Sequence, residues 1–215
     1  MNNYVQIVET LDKALDYFNN LYCDNVLKKP LIVVLSRGRK ACYGWHWANK
    51  WTDGENSITE IMIAAETLNR TWAENLETLL HEMAHLWNSQ NDIKDCNAQQ
   101  YHNKNFKKTA EDLFHLTVDR MPQKGYALTS LSDRSRTDVE TFIQEHKLVH
   151  TKLKRITPPK AVAKKQYNIN VTEQDYQWFV GLRDQLNMSS KECFEYIRNE
   201  AEAFGLVEGN LEEAG

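Results

Sequence analysis

The 215-residue sequence predicts an α+β fold, and three of its patterns lead to that conclusion. Near the N-terminus, apolar residues recur with helical spacing through about residue 27. Three short segments rich in β-branched or aromatic residues follow, with no helical segment between them. Helical patterns then fill much of the chain after residue 72. We therefore expect helices packed on one small sheet, which is the α+β arrangement.

The first half of the chain supplies this sheet and the helix that precedes it. Leu11 and Leu15 lie on one face of the N-terminal helix, and Pro30 prevents that helix from continuing. Because no helix intervenes to make a crossover, we expect a three-stranded, mostly antiparallel sheet. Its predicted strands are residues 31–35, 42–47 and 58–65.

A His-Glu-x-x-His motif at residues 81–85 lies within a helical pattern that spans about residues 72–89. His81 and His85 are one turn apart on one helix face, the spacing at which two imidazoles bind one Zn²⁺. Glu82 lies beside them, where a carboxylate can take a proton from water. An ordinary surface helix can carry such a pair without metal. Here, however, these polar residues sit inside an otherwise apolar helix, and burying them without a partner is costly. The predicted buried stripe of this helix is Leu76, Leu79, Leu80, Met83, Ala84 and Trp87.

The second half of the chain contains a polar loop, further helices and a boundary. Residues 88–100 are a loop by composition, and an amphipathic helix begins near residue 101 with Phe106 and Thr117 on one side. Residues 121–126 are predicted as a turn or hairpin, and residues 138–150 as a helix. Pro158-Pro159 then marks the boundary. We divide the chain into a domain at 1–146, a basic linker at 147–165 and a strand-helix-helix module at 166–215.

A catalytic zinc site usually has three protein ligands and one open position, so a third ligand is needed. The metzincin pattern is excluded, because Asn88 and Asn91 stand where it requires Gly and His. His102, at the start of the next predicted helix, is the strongest of four candidates. The other three are Glu111, Asp92 and Asp95.

At these motifs the sequence resembles the SprT-like zinc metallopeptidases (SprT/Spartan type). Three stretches carry the resemblance: Leu80-His81-Glu82-Met83-Ala84-His85, Asn91-Asp92-Ile93-Lys94-Asp95 and His102-Asn103-Lys104-Asn105-Phe106-Lys107. The last is similar to a family pattern of His-Gly-x-x-Phe. It has Asn103 in place of Gly, and Asn tolerates left-handed backbone better than most residues. The likeness covers about residues 4–120.

The resemblance implies a zincin-like SprT domain and a zinc-dependent peptidase. It implies that His81, His85 and His102 bind Zn²⁺, that Glu82 is the catalytic general base and acid, and that Phe106 packs beneath the third ligand. It also implies a protein substrate, with DNA-associated proteins as one class. We expect an extended substrate to pair with the strand at 58–65.

The C-terminal module resembles a ribbon-helix-helix DNA-binding unit. That resemblance implies a dimer whose strands enter the major groove, with Gln166, Asn168 and Asn170 as base readers. The strip from Lys147 to Lys165 holds seven Lys or Arg and no acidic residue, so it can bind DNA phosphates or act as a solvated linker. Against DNA binding, residues 166–215 hold ten acidic and three basic residues.

The module therefore leaves two alternatives open. The module can be a helical hairpin that packs on the peptidase domain or on a partner. Alternatively, the chain is a DNA-binding or regulatory protein in which this module dominates and the zinc site is structural or weakly active.

Composition limits the class of protein further. The net charge is −4, and the four cysteines are scattered without a metal-binding spacing. The sequence shows neither a secretory signal pattern nor an apolar run long enough to span a membrane. We therefore expect a cytoplasmic protein with no membrane partner. His46 and Tyr126 fit a half-buried strand and a packed turn, respectively, and both are also candidates for assisting catalysis.

Overall fold

A computed structural model of the chain describes residues 4–36, 43–153, 155–156 and 170–205. The chain divides into two compact units, Met1–Pro159 and Lys160–Gly215. None of the helices that the structure describes is long and apolar enough to cross a membrane. The first unit contains α1 (Tyr4–Cys23), β1 (Leu31–Leu35), β2 (Gly44–Thr52), β3 (Ser57–Ala64), α2 (Trp72–Gln90), α3 (Lys104–Asp112), β4 (Leu116–Met121), β5 (Gly125–Leu131) and α4 (Asp133–Glu145). The second contains α5 (Glu173–Gln185) and α6 (Ser190–Ala203).

The three strands form one sheet in the order β1-β3-β2, which confirms the predicted α+β class. β3 pairs antiparallel with β2, but it pairs parallel with β1, so the sheet is mixed rather than mostly antiparallel. The parallel pair arises because the chain passes through β2 between β1 and β3, and a strand can make the connection that is usually made by a helix. Both edges of β3 are paired. An extended substrate therefore cannot add to this strand, contrary to the expectation for residues 58–65.

One face of the sheet packs with α1 and α2 to form the core of the first unit. Ile32, Val34, Ile61 and Ile63 lie on this face and are buried. Each buried aliphatic side chain contributes about 1.5–3 kcal/mol, so the burial of a whole helix face holds α2 firmly. The buried face of α2 is the predicted stripe: Leu76, Leu79, Leu80, Met83 and Ala84 are buried, and Trp87 is partly buried.

The elements after α2 differ from the sequence prediction at their boundaries. α3 ends at Asp112, and Thr117 lies in β4 rather than in this helix. His115 has a φ of 53°, which is incompatible with continuing a right-handed helix. β4 and β5 then form an antiparallel hairpin across the predicted turn. α4 begins earlier than predicted because the hydroxyl of Ser132 accepts the backbone N–H of Ser135 and caps the helix.

In the second unit, α5 and α6 pack through Phe179 and Phe194, whose ring centroids are 4.7 Å apart. Both helices begin with capping boxes, Thr172 with Asp175 and Ser189 with Glu192. The strand predicted at the start of the module, from residue 166, lies mostly outside the described residues, because residues 166–169 are not described; the proposed base readers Gln166 and Asn168 are among them. Asn170 is described, and it precedes α5 outside any strand. Binding of DNA by this module and its dimerisation stay predictions.

Candidate metal centre

Three of the four predicted site residues lie on α2, whose buried stripe fixes them along one helix face. Glu82 and His85 are buried, and His81 is partly buried. The ring of Phe106 on α3 packs against all the histidines of the predicted site. Its centroid lies 4.6 Å from that of His81, 4.5 Å from that of His85 and 4.6 Å from that of His102.

The fourth residue, His102, lies in the loop before α3, and the hairpin holds its main chain. Its N–H donates to the carbonyl of Lys124 at 3.0 Å, and its carbonyl accepts the N–H of Tyr126 at 3.1 Å. Gly125 lies between these two contacts with a φ of 66°, and a Cβ at this position would overlap the carbonyl oxygen of His102. The position of His102 therefore depends on a glycine in the hairpin.

Asn103 also helps to place this loop, although not through left-handed backbone. Its φ is −94°, and its side chain accepts the backbone N–H groups of Asn105 and Phe106. Asn103 is thus the N-cap of α3, a position at which Asn is strongly favoured. The capped helix begins directly after His102 and carries Phe106 to its place beneath the imidazoles.

The three histidines form one cluster that can hold a metal ion. One nitrogen from each ring lies within 4.8 Å of the other two. Nε2 of His85 and Nε2 of His102 are 3.0 Å apart. Tetrahedral zinc with Zn–N bonds of 2.0–2.1 Å places neighbouring ligand nitrogens about 3.3 Å apart, close to this separation.

The outer nitrogen of each ring contacts an oxygen atom, and this fixes which nitrogen faces inward. Nδ1 of His85 donates to Asp95 Oδ2 at 2.7 Å, and Nδ1 of His102 donates to the carbonyl of Gln100 at 3.1 Å. A carboxylate and a carbonyl only accept, so Nδ1 carries a proton in both rings, and in a neutral ring Nε2 then carries the lone pair. Two lone pairs 3.0 Å apart repel unless a cation lies between them. This donor set therefore fits a bound metal ion.

His81 completes the set in a compatible way. Its Nδ1 lies 3.2 Å from the hydroxyl oxygen of Thr129 on β5, and a hydroxyl can accept from an imidazole N–H. Burial lowers the pKa of His81 well below its ordinary value. Burial, together with the neighbouring His85, lowers the pKa of His102 to about 4. Both rings are consequently neutral near pH 7, the form in which imidazole binds metals.

Glu82 occupies the β2 side of the cluster. Burial raises the pKa of Glu82 to about 7, because the carboxyl group is removed from water. The backbone N–H of His46 donates to this carboxylate and opposes the rise. A buried carboxyl group with a raised pKa, next to a possible metal site, is typical of a general base or acid.

Comparison with known proteins identifies the family. A sequence model of the SprT-like family matches residues 11–125, more than half of the chain. The chain belongs to the SprT-like family. The match contains His81, Glu82, His85 and His102, and it confirms the resemblance read from the motifs. Neither the curated proteins nor the solved structures yielded a match to this SprT-like chain.

The other three candidates for the third ligand of this SprT-like site are placed differently from His102. Asp95 binds His85 through Nδ1 and so lies on the outer side of that ring. Glu111 pairs with Lys107 on α3, and Asp92 is exposed. His85, Asp95 and Cys96 form a second group that can hold a metal. In that group, burial and the charge of Asp95 raise the pKa of Cys96 to about 11, which disfavours the thiolate form that binds metals.

The structure brings His46 to the SprT-like site. Its ring stacks on that of His85 with centroids 6.2 Å apart. Its Nε2 is buried and has no hydrogen-bond partner within the part of the chain that is described. Burial, with His85 nearby, lowers the pKa of His46 to about 4. His46 is therefore an uncharged side chain that lines one side of the imidazole cluster.

Tyr126 contacts the site through its backbone, since its N–H donates to the carbonyl of His102 at 3.1 Å. Thr129 contacts His81, whereas Nζ of Lys107 lies 5.6 Å from the centre of the Tyr126 ring. The tyrosine ring packs against the core of the first unit, and a part for Tyr126 in catalysis stays a prediction.

Two residues of the site were not found from the sequence. Thr129 contacts His81 only because of the pairing of β4 with β5, and a threonine in a strand gives no signal of such a role. Gly44 lies against Glu82, and a Cβ placed there would be 2.7 Å from Glu82 Oε1. A glycine within an aromatic strand could have indicated this close approach.

Proposed function

We propose that this SprT-like chain is a zinc-dependent metallopeptidase that hydrolyses peptide bonds of proteins. One observation carries the proposal: Nε2 of His85 and Nε2 of His102 face each other at 3.0 Å while both Nδ1 protons are donated to oxygen atoms. Three imidazoles with a carboxylate beside them are a ligand set found at catalytic zinc sites, where the fourth position stays open. Membership of the SprT-like family supports the same activity.

Each residue of the cluster has a distinct part in the proposed reaction. Zinc bound in this way lowers the pKa of water towards neutrality and polarises the scissile carbonyl. His81, His85 and His102 would hold the ion, and Phe106 would keep their rings in place. Glu82 would accept the proton of the attacking water on its carboxylate and pass it to the leaving amine.

The contacts of Glu82 support its proposed role as the group that accepts and donates the proton. Its carboxylate accepts the backbone N–H of His46 and lies against Gly44, so it is held between α2 and β2. Burial excludes bulk water from the carboxyl group and favours proton transfer near neutral pH. The carboxylate is thereby fixed on the β2 side of the imidazoles, and it would accept a proton there from a water that the metal activates.

A link to DNA stays a prediction. The basic strip is described only for residues 147–153 and 155–156, and much of the predicted reading strand lies outside the described residues. The alternative function, a DNA-binding or regulatory protein with a weakly active zinc site, depends on those segments. The experiment below separates the two functions.

The proposal is tested by Glu82→Gln in the full chain, with an unfolded, fluorescently labelled protein as substrate. The amide keeps the size of the side chain but cannot accept the proton, so cleavage should fall on the order of 10²- to 10⁴-fold while bound zinc is retained. Glu111→Gln is the matched control, because Glu111 lies on α3 and pairs with Lys107. It should cleave like the wild type.

Two results would contradict the proposal. Cleavage by Glu82→Gln at the wild-type rate would remove Glu82 as the general base. A zinc-loaded wild type that cleaves no unfolded protein would contradict the peptidase activity itself. In the second case, salt-dependent binding of DNA by the full chain would favour the alternative function.

A further inference from the structure

Asn88 is a fully buried amide at a position of α2 where an apolar residue is expected. It follows Leu80 and Ala84 at intervals of four, so it continues the buried stripe. Burying an amide is costly unless its donors and acceptor are bonded. The contacts of this side chain therefore indicate why a polar residue occupies the core.

The amide connects two elements outside α2. Its Nδ2 donates to Asp95 Oδ2 at 3.1 Å, and its Oδ1 accepts the hydroxyl of Thr109 at 2.6 Å. The carboxylate of Asp95 only accepts, so the NH₂ group must face Asp95. The hydroxyl of Thr109 on α3 then donates to the remaining oxygen. Thr109 thus holds the amide of Asn88 in the orientation that Asp95 requires.

Asp95 in turn fixes the ring of His85. The same Oδ2 atom accepts from His85 Nδ1 at 2.7 Å, and the thiol of Cys96 also donates to Asp95. Asp95 lies in the loop after α2, next to exposed residues, so its side chain depends on these bonds for its position. A hydrogen-bonded relay consequently runs from Thr109 through Asn88 and Asp95 to His85, with Asp95 partly buried and the other three residues buried.

We propose that Asn88 is a positioning residue that sets the metal affinity of the site, acting through Asp95 on His85, with Thr109 orienting its amide. This role rests on the proposed metal site. Some residues do not bind the metal themselves but hydrogen-bond to a side chain that does. Removing such a residue typically weakens metal binding 10- to 100-fold. Without Asn88, Asp95 loses a donor and the ring of His85 loses the constraint that aims Nε2 at His102.

The test measures zinc affinity of the full chain by competition with a chelator, well below the unfolding temperature of each metal-free variant. Asn88→Leu keeps the approximate size and removes both bonds, and it should weaken zinc binding about 10- to 100-fold. The matched control is Asn75→Leu. Asn75 is also buried on α2, but it donates to the carbonyls of Leu68 and Arg70 and is not connected to a histidine. This control should lose stability and keep the affinity.

A milder pair of variants covers the case in which Asn88→Leu does not fold. Thr109→Val removes one hydroxyl from α3 and should weaken zinc binding severalfold, whereas Thr109→Ser keeps the hydroxyl and should restore wild-type affinity. Wild-type affinity in folded Asn88→Leu, or in folded Thr109→Val, would overturn the relay. Equal loss in Asn75→Leu would also overturn it, because the effect would then reflect stability alone. A wild type without a stoichiometric zinc site would instead overturn the proposed function, on which this role depends.

Discussion

Gly44→Ala adds one methyl group at the point where β2 meets the proposed general base. The new Cβ would lie 2.7 Å from Glu82 Oε1, 2.9 Å from Glu82 Cγ and 2.7 Å from Thr78 Cγ2. Thr78 is not free to move away, since its hydroxyl accepts from Arg70 at 2.6 Å and donates to the carbonyl of Glu74 at 3.1 Å. The side chain of Glu82 therefore has to move away from the new methyl group.

The size of the effect follows from these distances. Non-bonded carbon atoms pack at about 3.5–4.0 Å, so the contacts are too short by on the order of 1 Å. A shift of that size in a catalytic group costs roughly 10²-fold in rate. A 10²-fold loss corresponds to about 2.7 kcal/mol in the activation free energy. The three atoms nearest to the new Cβ belong to Glu82 and Thr78 and none to a histidine, so zinc should remain bound.

The assay compares kcat, KM and zinc content of Gly44→Ala with those of the wild type. Gly181→Ala is the control, because a Cβ at Gly181 on α5 has no atom within 4 Å. We expect kcat to fall about 10²-fold in Gly44→Ala and to stay unchanged in Gly181→Ala. A wild-type kcat in Gly44→Ala would refute the packing of Glu82 on β2. Loss of zinc together with activity would show that the substitution disturbs the whole site rather than Glu82.

Two further predictions concern the histidines. The metal-free protein should lose stability as the pH falls, since burial lowers the pKa of His46 and of His102 from 6.5 to about 4. Between these values the unfolded chain binds more protons than the folded chain at the two histidines and fewer at Glu82, whose pKa is raised to about 7. The two histidines outweigh the one carboxyl group, so urea midpoints of chelator-treated protein should be lower near pH 5 than near neutral pH. Equal midpoints would contradict the burial of these rings. Gly125→Ala should displace His102 and lower the zinc content of the folded protein, as its Cβ would overlap the His102 carbonyl oxygen. Full zinc occupancy in a folded variant would show that the hairpin does not position the third histidine.

Local sequence patterns predicted the part of the site that lies on one helix. The stripe from Leu76 to Ala84 and the spacing of His81 and His85 depend only on the helical repeat, so α2 and its buried face were predicted correctly. His102 was selected through a short motif and stands directly before its own capped helix.

Features that depend on contacts between distant segments were missed. The parallel pairing of β1 with β3 requires knowledge of strand order, which residue alternation within each strand does not contain. Thr129 reaches His81 only after the hairpin has formed, and the amide of Asn88 reaches Asp95 only after the loop has folded back on α2. The start of α4 was misplaced for a local reason, because Ser132 is the N-cap and the apolar spacing of that helix is weak at its first turn.

The metal content of the purified protein, measured for the wild type and for His102→Ala, tests the central claim most directly. The wild type should contain one equivalent of zinc per chain, and His102→Ala should lose it on dialysis, because only two imidazoles of the set remain. Unchanged zinc in His102→Ala would contradict the three-histidine centre. It would point instead to the group formed by His85, Asp95 and Cys96.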